Sequence, residues 1–358
     1  MAANTCCHFL VACLSILWAT TEAQISKGSK RSSVPAIFVF GDSTVDPGNN
    51  DFIETPFRSN FPPYGRDFPG RISTGRFTNG RLVTDYVASH WGIKENVPPY
   101  LNSSLGMEEL MTGVSFASAG SGLDPLTAQI SGVITMTEQL EYFEEYIARL
   151  EVAIGVERAH NLIKKAAYVV SVGTNDFVVN YFGLPTRRLT YTLAAYQDFL
   201  LRNLHQFIQG LADKGVEKMG LVGLPPMGCL PLVITLQSPR LLRGSGCVES
   251  ISAVAREYNQ MLQDKFTLSP NGRPRIVYAD IYTPLHDIIQ RREFGFDVVS
   301  RGCCGSGLLE ASFLCNEGSD VCADASKFVF WDSIHPTDRV YYFLFKSLIP
   351  VVEIFLQP

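Results

Sequence analysis

Short apolar runs alternate with longer amphipathic ones along this chain. Residues 34–40 are apolar and β-rich and stop at Gly41-Asp42, the pattern of a buried strand closed by a turn. Runs of the same kind fall at 112–117, 167–172, 216–224 and 275–279. Between them, residues 137–154 place Leu140, Phe143, Ile147 and Leu150 at the three-to-four spacing of an amphipathic helix. Further helices are expected at 80–91, 189–211, 248–266 and 338–355. Residues 46–79 are rich in Gly, Pro, Asn and Arg and read as one long loop. Strands alternating with helices predict an α/β fold with a five-stranded, mainly parallel sheet covered on both faces. Ligands of such sheets bind beyond the C-terminal strand edges. No internal repeat or linker divides the chain, so residues 24–358 are expected to form a single domain.

Composition adds a compartment. Residues 9–18, FLVACLSILW, form an apolar stretch too short to span a bilayer, and small residues follow up to Ala23. This predicts a signal peptide over 1–23 and a secreted, extracellular protein. No later run reaches eighteen apolar residues, so no transmembrane segment is expected in the mature chain. A net charge of −5 without a basic block argues against nucleic acid as a partner. Beyond the leader stand Cys229, Cys247, Cys303, Cys304, Cys315 and Cys322, an even set that suits disulfides in an oxidising compartment. Local closure favours Cys229 with Cys247. The adjacent Cys303 and Cys304 are expected to take different partners, and their pairing stays open. Zinc is the competing reading, but the spacing matches no common finger. Asn102-Ser103-Ser104 is a glycosylation sequon in a polar stretch after Pro98-Pro99.

Three runs follow predicted strands and carry residues that can do chemistry. Ser43 lies in Gly41-Asp42-Ser43-Thr44, where a hydroxyl needs a neighbouring base to become a nucleophile. A turn serine is the plainer reading of that run alone. Asp332-Ser333-Ile334-His335 offers such a base: an Asp three residues before a His can hold Nδ1 and leave Nε2 for serine. Alternatively, Asp332 or Thr337 caps the last helix. Gly173-Thr174-Asn175-Asp176 offers an amide for an oxyanion, which the backbone N–H groups of Ser43 and Gly120 can join. The chain lacks Gly-x-Ser-x-Gly, His-Glu-x-x-His and a Walker-type loop, which argues against the common α/β-hydrolase elbow, a zinc hydrolase and nucleotide binding. Neither a metal nor an organic cofactor is expected.

The runs FVFGDSTVDPGNND (38–51), GVSFASAGSGL (113–123), VGTNDF (172–177) and FWDSIHPTD (330–338) resemble the blocks of plant GDSL-type esterase/lipases of the SGNH hydrolase superfamily. PPYGRDFPGRISTGRFTNGRLVTDY, LPPMGCLP and CCGSG between them extend the resemblance over essentially the whole mature length. It implies a flavodoxin-like three-layer α/β/α sandwich, the SGNH hydrolase fold. It implies Ser43 as nucleophile, Asp332 and His335 as the rest of a triad, and Ser43, Gly120 and Asn175 as the oxyanion hole. The implied activity is cleavage of small-molecule or lipid carboxylic esters through an acyl-enzyme. An acyltransferase using the same acyl-enzyme, or a non-catalytic wall or carbohydrate-binding protein, is the alternative. Two departures stand out: Thr44 where the family usually has Leu, and Ser115 where Asn is common. The second puts a supporting hydrogen bond in question. His90, His160, His205 and His286 read as structural or surface residues. Phe57, Phe61, Tyr64 and Phe68 read as aromatics that pack the long loop down, in preference to lining an acyl pocket.

Overall fold

A computed structural model describes residues 34–237, 246–267 and 274–357. The expected signal peptide lies outside them. The centre is a parallel sheet in the order β1 (Ile37–Gly41), β2 (Ala167–Ser171), β3 (Lys218–Val222), β4 (Arg275–Ala279). In β1 all five residues, IFVFG, are buried, because helices cover both faces of a parallel sheet. Gly41 pairs with Ser171, so β1 and β2 end level at the C-terminal edge.

The helices among the described residues include α1 (Val83–His90), α2 (Pro125–Ser131), α3 (Met136–Ile154), α4 (Val156–Lys165), α5 (Leu193–Asp213), α6 (Pro231–Gln237), α7 (Glu249–Phe266), α8 (Tyr282–Gln290) and α9 (Asp338–Ile354). Helix α3 starts where Thr135 and Glu138 form a reciprocal capping box, and it buries Phe143, Tyr146 and Leu150. Strand residues Phe38, Phe40, Tyr168, Val170 and Leu221 join the core formed with α3, α5 and α7. Their neighbours Ile37, Val39 and Ala167 turn the other way, onto Val87 of α1 and Phe345, Leu348 and Val352 of α9. This period-two sorting makes the three-layer α/β/α sandwich.

Three expectations need correction. Residues 112–117 are not a regular strand. They run parallel to β1, with Val39 N donating to Val114 O at 3.1 Å and Phe116 N to Val39 O at 2.7 Å. On their outer side Asn49 Nδ2 donates to Ser115 O and Ala117 O at 2.8 Å each, and the extended residues 98–100 pair in parallel with Ser115, Ser115 N donating to Pro98 O and Tyr100 N to Ser115 O at 2.9 Å each. Among the described residues the sheet has four regular strands and an irregular fifth edge. Second, the pattern missed a separate parallel pair, β5 (Val298–Gly302) with β6 (Phe328–Phe330). Third, it missed α2, α4, α6 and α8.

The cysteines pair as Cys229–Cys247, Cys303–Cys322 and Cys304–Cys315. The local closure and the separate partners for Cys303 and Cys304 are both as expected. Two of the bridges staple the segment between β5 and β6, and β6 leads directly into Trp331-Asp332.

Candidate active site

The turn after β1 carries Ser43. Its shape depends on Gly41, whose φ is +139° and where a Cβ would stand 1.8 Å from Ser171 O. No side chain fits there. Gln139 of α3 closes the same strand end: its Oε1 accepts from Gly41 N at 2.8 Å and its Nε2 donates to Gly41 O at 2.9 Å. Beyond it, Asp42 Oδ1 accepts from Thr44 N and Thr44 Oγ1, at 3.0 and 2.7 Å. Burial pushes the Asp42 carboxyl up to about 6, against the pull of the Thr44 donors and nearby His335.

The turn after β6 carries Asp332 and His335. Asp332 folds its own turn, with Oδ1 accepting from Ile334 N at 2.8 Å and His335 N at 2.7 Å. It also meets the imidazole, at 2.7 Å from Oδ2 to Nδ1. His335 Nε2 lies 2.8 Å from Ser43 Oγ. With Nδ1 donating to the carboxylate, Nε2 is left to accept from the serine hydroxyl. All three side chains are buried. The capping alternative for Asp332 and Thr337 does not hold. Thr337 is the N-cap of α9 by position, yet its hydroxyl donates to Phe328 O at 2.9 Å.

Gly120 and Asn175 come to the same sheet edge. Ser118 N donates to Gly41 O at 3.0 Å, so Gly120 and Ser43 each lie two residues past a shared contact. Among the described residues, the N–H groups of Ser43 and Gly120 have no acceptor. Asn175 follows β2, and its Nδ2 donates to Ser121 O at 2.9 Å. That bond leaves one amide hydrogen over.

Several positioning residues were not read from the sequence. Tyr64, only 1% exposed, donates from its hydroxyl to Asp332 Oδ2 at 2.7 Å and accepts from Ser312 N at 2.8 Å. It thus does more than pack the loop down. Asp46 Oδ1 accepts from Gly48 N and Asn49 N, and its Oδ2 accepts from Ala119 N at 2.9 Å, tying the Ser43 loop to the Gly120 run. Burial pushes this carboxyl up to about 6 as well. Phe77 lies against the His335 ring, centroids 5.0 Å apart. The Asp and Asn of DPGNND were a usable signal, since short polar residues in a Gly-Pro loop satisfy backbone groups. Tyr64 and Gln139 gave none, because their partners are 268 and 98 residues away.

The two departures have local explanations. Thr44 Oγ1 reaches Ser171 Oγ at 2.8 Å, a link between β1 and β2 that Leu cannot make. Ser115 Oγ donates to Val45 O at 3.0 Å, a local bond between the 113–123 run and the Ser43 loop. Asn102 is half-buried, and its Oδ1 accepts from Ser104 Oγ at 2.7 Å. No helix among the described residues is long and apolar enough to cross a membrane.

A parallel-sheet sandwich with a Ser-His-Asp chain at its C-terminal edge is a frame for hydrolysis, and comparison with known proteins makes the class definite. Residues 37–348 match the model of the GDSL-like lipase/acylhydrolase family. A GDSL esterase/lipase of Arabidopsis thaliana is 54% identical over 337 residues, which cover 93% of this chain and 90% of that protein. A second GDSL esterase/lipase from the same plant is 43% identical over 338 residues, covering 92% and 93%, and a third is 41% identical over 321 residues, covering 89% of each. The chain belongs to the GDSL lipase/acylhydrolase family. It is a carboxylic ester hydrolase acting on small-molecule esters.

Proposed function

We propose that this protein is a secreted esterase/lipase that cleaves carboxylic esters through an acyl-enzyme on Ser43. The observation that carries the reading is the unbroken chain Ser43 Oγ to His335 Nε2, 2.8 Å, and His335 Nδ1 to Asp332 Oδ2, 2.7 Å. Ser43 Oγ attacks the ester carbonyl carbon as His335 Nε2 takes its proton. The carbonyl oxygen becomes an oxyanion, held by the Ser43 and Gly120 N–H groups and the spare amide hydrogen of Asn175. Collapse breaks the ester C–O bond, and the alcohol leaves with the proton from His335. Water then attacks the acyl-serine with His335 again as base, releasing the acid and restoring Ser43. Asp332 orients the imidazole and stabilises its charged form, and Tyr64 orients Asp332.

Export is part of the same proposal. The leader at 1–23 precedes a chain with three disulfides, bonds that persist in oxidising compartments. Asn102 is the glycosylation site of the exported form.

Fluorophosphonate labelling and ester turnover test the reading together. The wild type should label and turn over, and Ser43→Ala should lose the label and at least a thousandfold in kcat while keeping its circular dichroism. Substantial turnover by folded Ser43→Ala would overturn the assignment. An alcohol acceptor added to the assay should not outcompete water, as it would for an acyltransferase.

A further inference from the structure

One buried acid beside the site has no part in the chemistry above. Asp176 follows Asn175 in the chain and is 0% exposed. Burial pushes its carboxyl up to about 7, against the pull of its Thr127, Asp124 and Leu123 donors. A buried carboxylate opposes folding unless its oxygens are bonded, and here both are. Oδ2 accepts from Leu123 N at 2.8 Å, and Oδ1 accepts from Asp124 N at 2.9 Å and from Thr127 Oγ1 at 2.7 Å.

All three donors belong to the segment that follows Gly120, 49 to 53 residues away from Asp176 in the chain. Gly122 makes the approach possible, since a Cβ there would stand 2.4 Å from Asp176 Oδ1. The clamp closes between two neighbours of the oxyanion hole. On one side, Asn175 directly precedes Asp176. On the other, Ser121 O takes one Asn175 amide hydrogen at 2.9 Å and lies just ahead of the clamped amides. Asp124 braces the clamp from outside. Its carboxylate accepts from Arg187 Nε and Nη2 at 2.6 and 2.7 Å, from Asn180 Nδ2 at 3.0 Å and from the Tyr196 hydroxyl at 3.1 Å. Arg187 thus neutralises the outer carboxylate, while the hydrogen bonds to Asp176 come from neutral donors.

We propose that Asp176 is the positioning residue of the oxyanion hole: its carboxylate fixes residues 122–124 against the turn after β2, and so sets the spacing between the Gly120 N–H and the Asn175 amide. It touches no reacting atom. This rests on the oxyanion reading above and adds the group that holds the two sides of the hole in place. Donors fixed in advance stabilise charge that exists only in the transition state, so loosening them lowers kcat and leaves KM nearly alone.

Asp176→Asn tests this on the full-length secreted enzyme with p-nitrophenyl butyrate. The amide is nearly the same size, but its NH2 must face a donor that the carboxylate accepted. In protein shown to be folded by circular dichroism, kcat should fall about thirtyfold with KM within about twofold, less than the 10²–10³ lost when a hole donor is itself removed. Phenylboronic acid, whose tetrahedral adduct with Ser43 Oγ puts an oxygen in the hole, should bind more weakly by about the same factor. Thr127→Val deletes one donor and no charge, and is the milder variant should Asp176→Asn not fold; its kcat should fall about fivefold at the same KM. In an Asn175→Ala background the clamp has lost the amide it aims, so Asp176→Asn should lower kcat there by no more than about threefold. Unchanged kcat in both folded single variants, full additivity with Asn175→Ala, or failure of both single variants to fold would each overturn the proposal and leave the hydrolase reading standing. Wild-type kcat in Asn175→Ala would instead sink the oxyanion reading, and this proposal with it.

Discussion

Ser43 and His335 meet at 2.8 Å, yet the two halves of the site are held in different ways. The Ser43 half grows out of the sheet. Strand β1 is buried throughout, its last residue pairs with Ser171, and Gln139 grips both backbone groups of Gly41. The His335 half lies on a turn after a three-residue strand of a two-stranded sheet. Disulfides at Cys303–Cys322 and Cys304–Cys315, Tyr64 from a distant loop, and the bond from Ser333 N to Glu310 O hold it instead. One half is set by backbone pairing, the other by cross-links and long-range side-chain bonds. Perturbing each kind of support should therefore produce different symptoms.

The largest effect is expected from Asp332→Asn. The amide can present an N–H to Nδ1, which reverses the tautomer and leaves Nε2 without its lone pair. By analogy with triads in general, kcat should fall by about 10⁴ with the fold intact. Ester kinetics beside a thermal melt would check it, and a loss under tenfold would separate Asp332 from the chemistry. Next comes the joint change Cys304→Ser and Cys315→Ser, which opens a bridge between residues 11 apart. It should cost about 2–3 kcal/mol in urea unfolding, with kcat falling as the His335 turn loosens. Unchanged kcat per folded molecule would show that the turn does not need its staple.

Tyr64→Phe keeps the ring against Phe77 and Trp331 and removes only the hydroxyl. A lost bond supporting an active-site carboxylate predicts about a tenfold drop in kcat with KM little changed. A rise in KM alone would mean that Tyr64 shapes the binding surface and not Asp332.

The smallest effect falls on the Ser43 half and is read by pH. Burial raises Asp42 and Asp46 from the ordinary range near 3.8 to about 6. The folded state then holds protons that the unfolded chain has already released. These groups favour folding most below about pH 4, and that contribution is lost as pH rises through about 6. The urea midpoint should be higher at pH 5 than at pH 7.5, and a flat midpoint would remove this contrast between the halves.

The sequence revealed the Ser43 half better than the other, for the same physical reason. Strands β1 to β4 are near-continuous apolar runs bounded by turn residues, which local pattern reading detects. Helix α3 was legible from its repeat, but α4 was hidden because Gly155 separates two helices that adjoin in sequence. Strand β5, VVSRG, has only its terminal glycine buried, so neither apolar continuity nor strict alternation marks it. Ser43, Asp332 and His335 could be singled out by type and spacing. Tyr64 and Gln139 could not, since nothing near them in the chain reports what they bond. The four-strand outcome was not legible either, since residues 112–117 meet β1 in an isolated bridge, Val39 with Ser115, which an apolar run does not reveal.

Gly41 carries a consequence for anyone who would re-engineer this hydrolase. With a methyl at 41 landing 1.8 Å from the Ser171 carbonyl oxygen, that site accepts no alternative amino acid while β1 and β2 stay paired. Three positions along, Thr44 borders open space and has already exchanged a family leucine for a hydroxyl. Directed evolution of selectivity should spend its diversity at 44 and treat 41 as invariant.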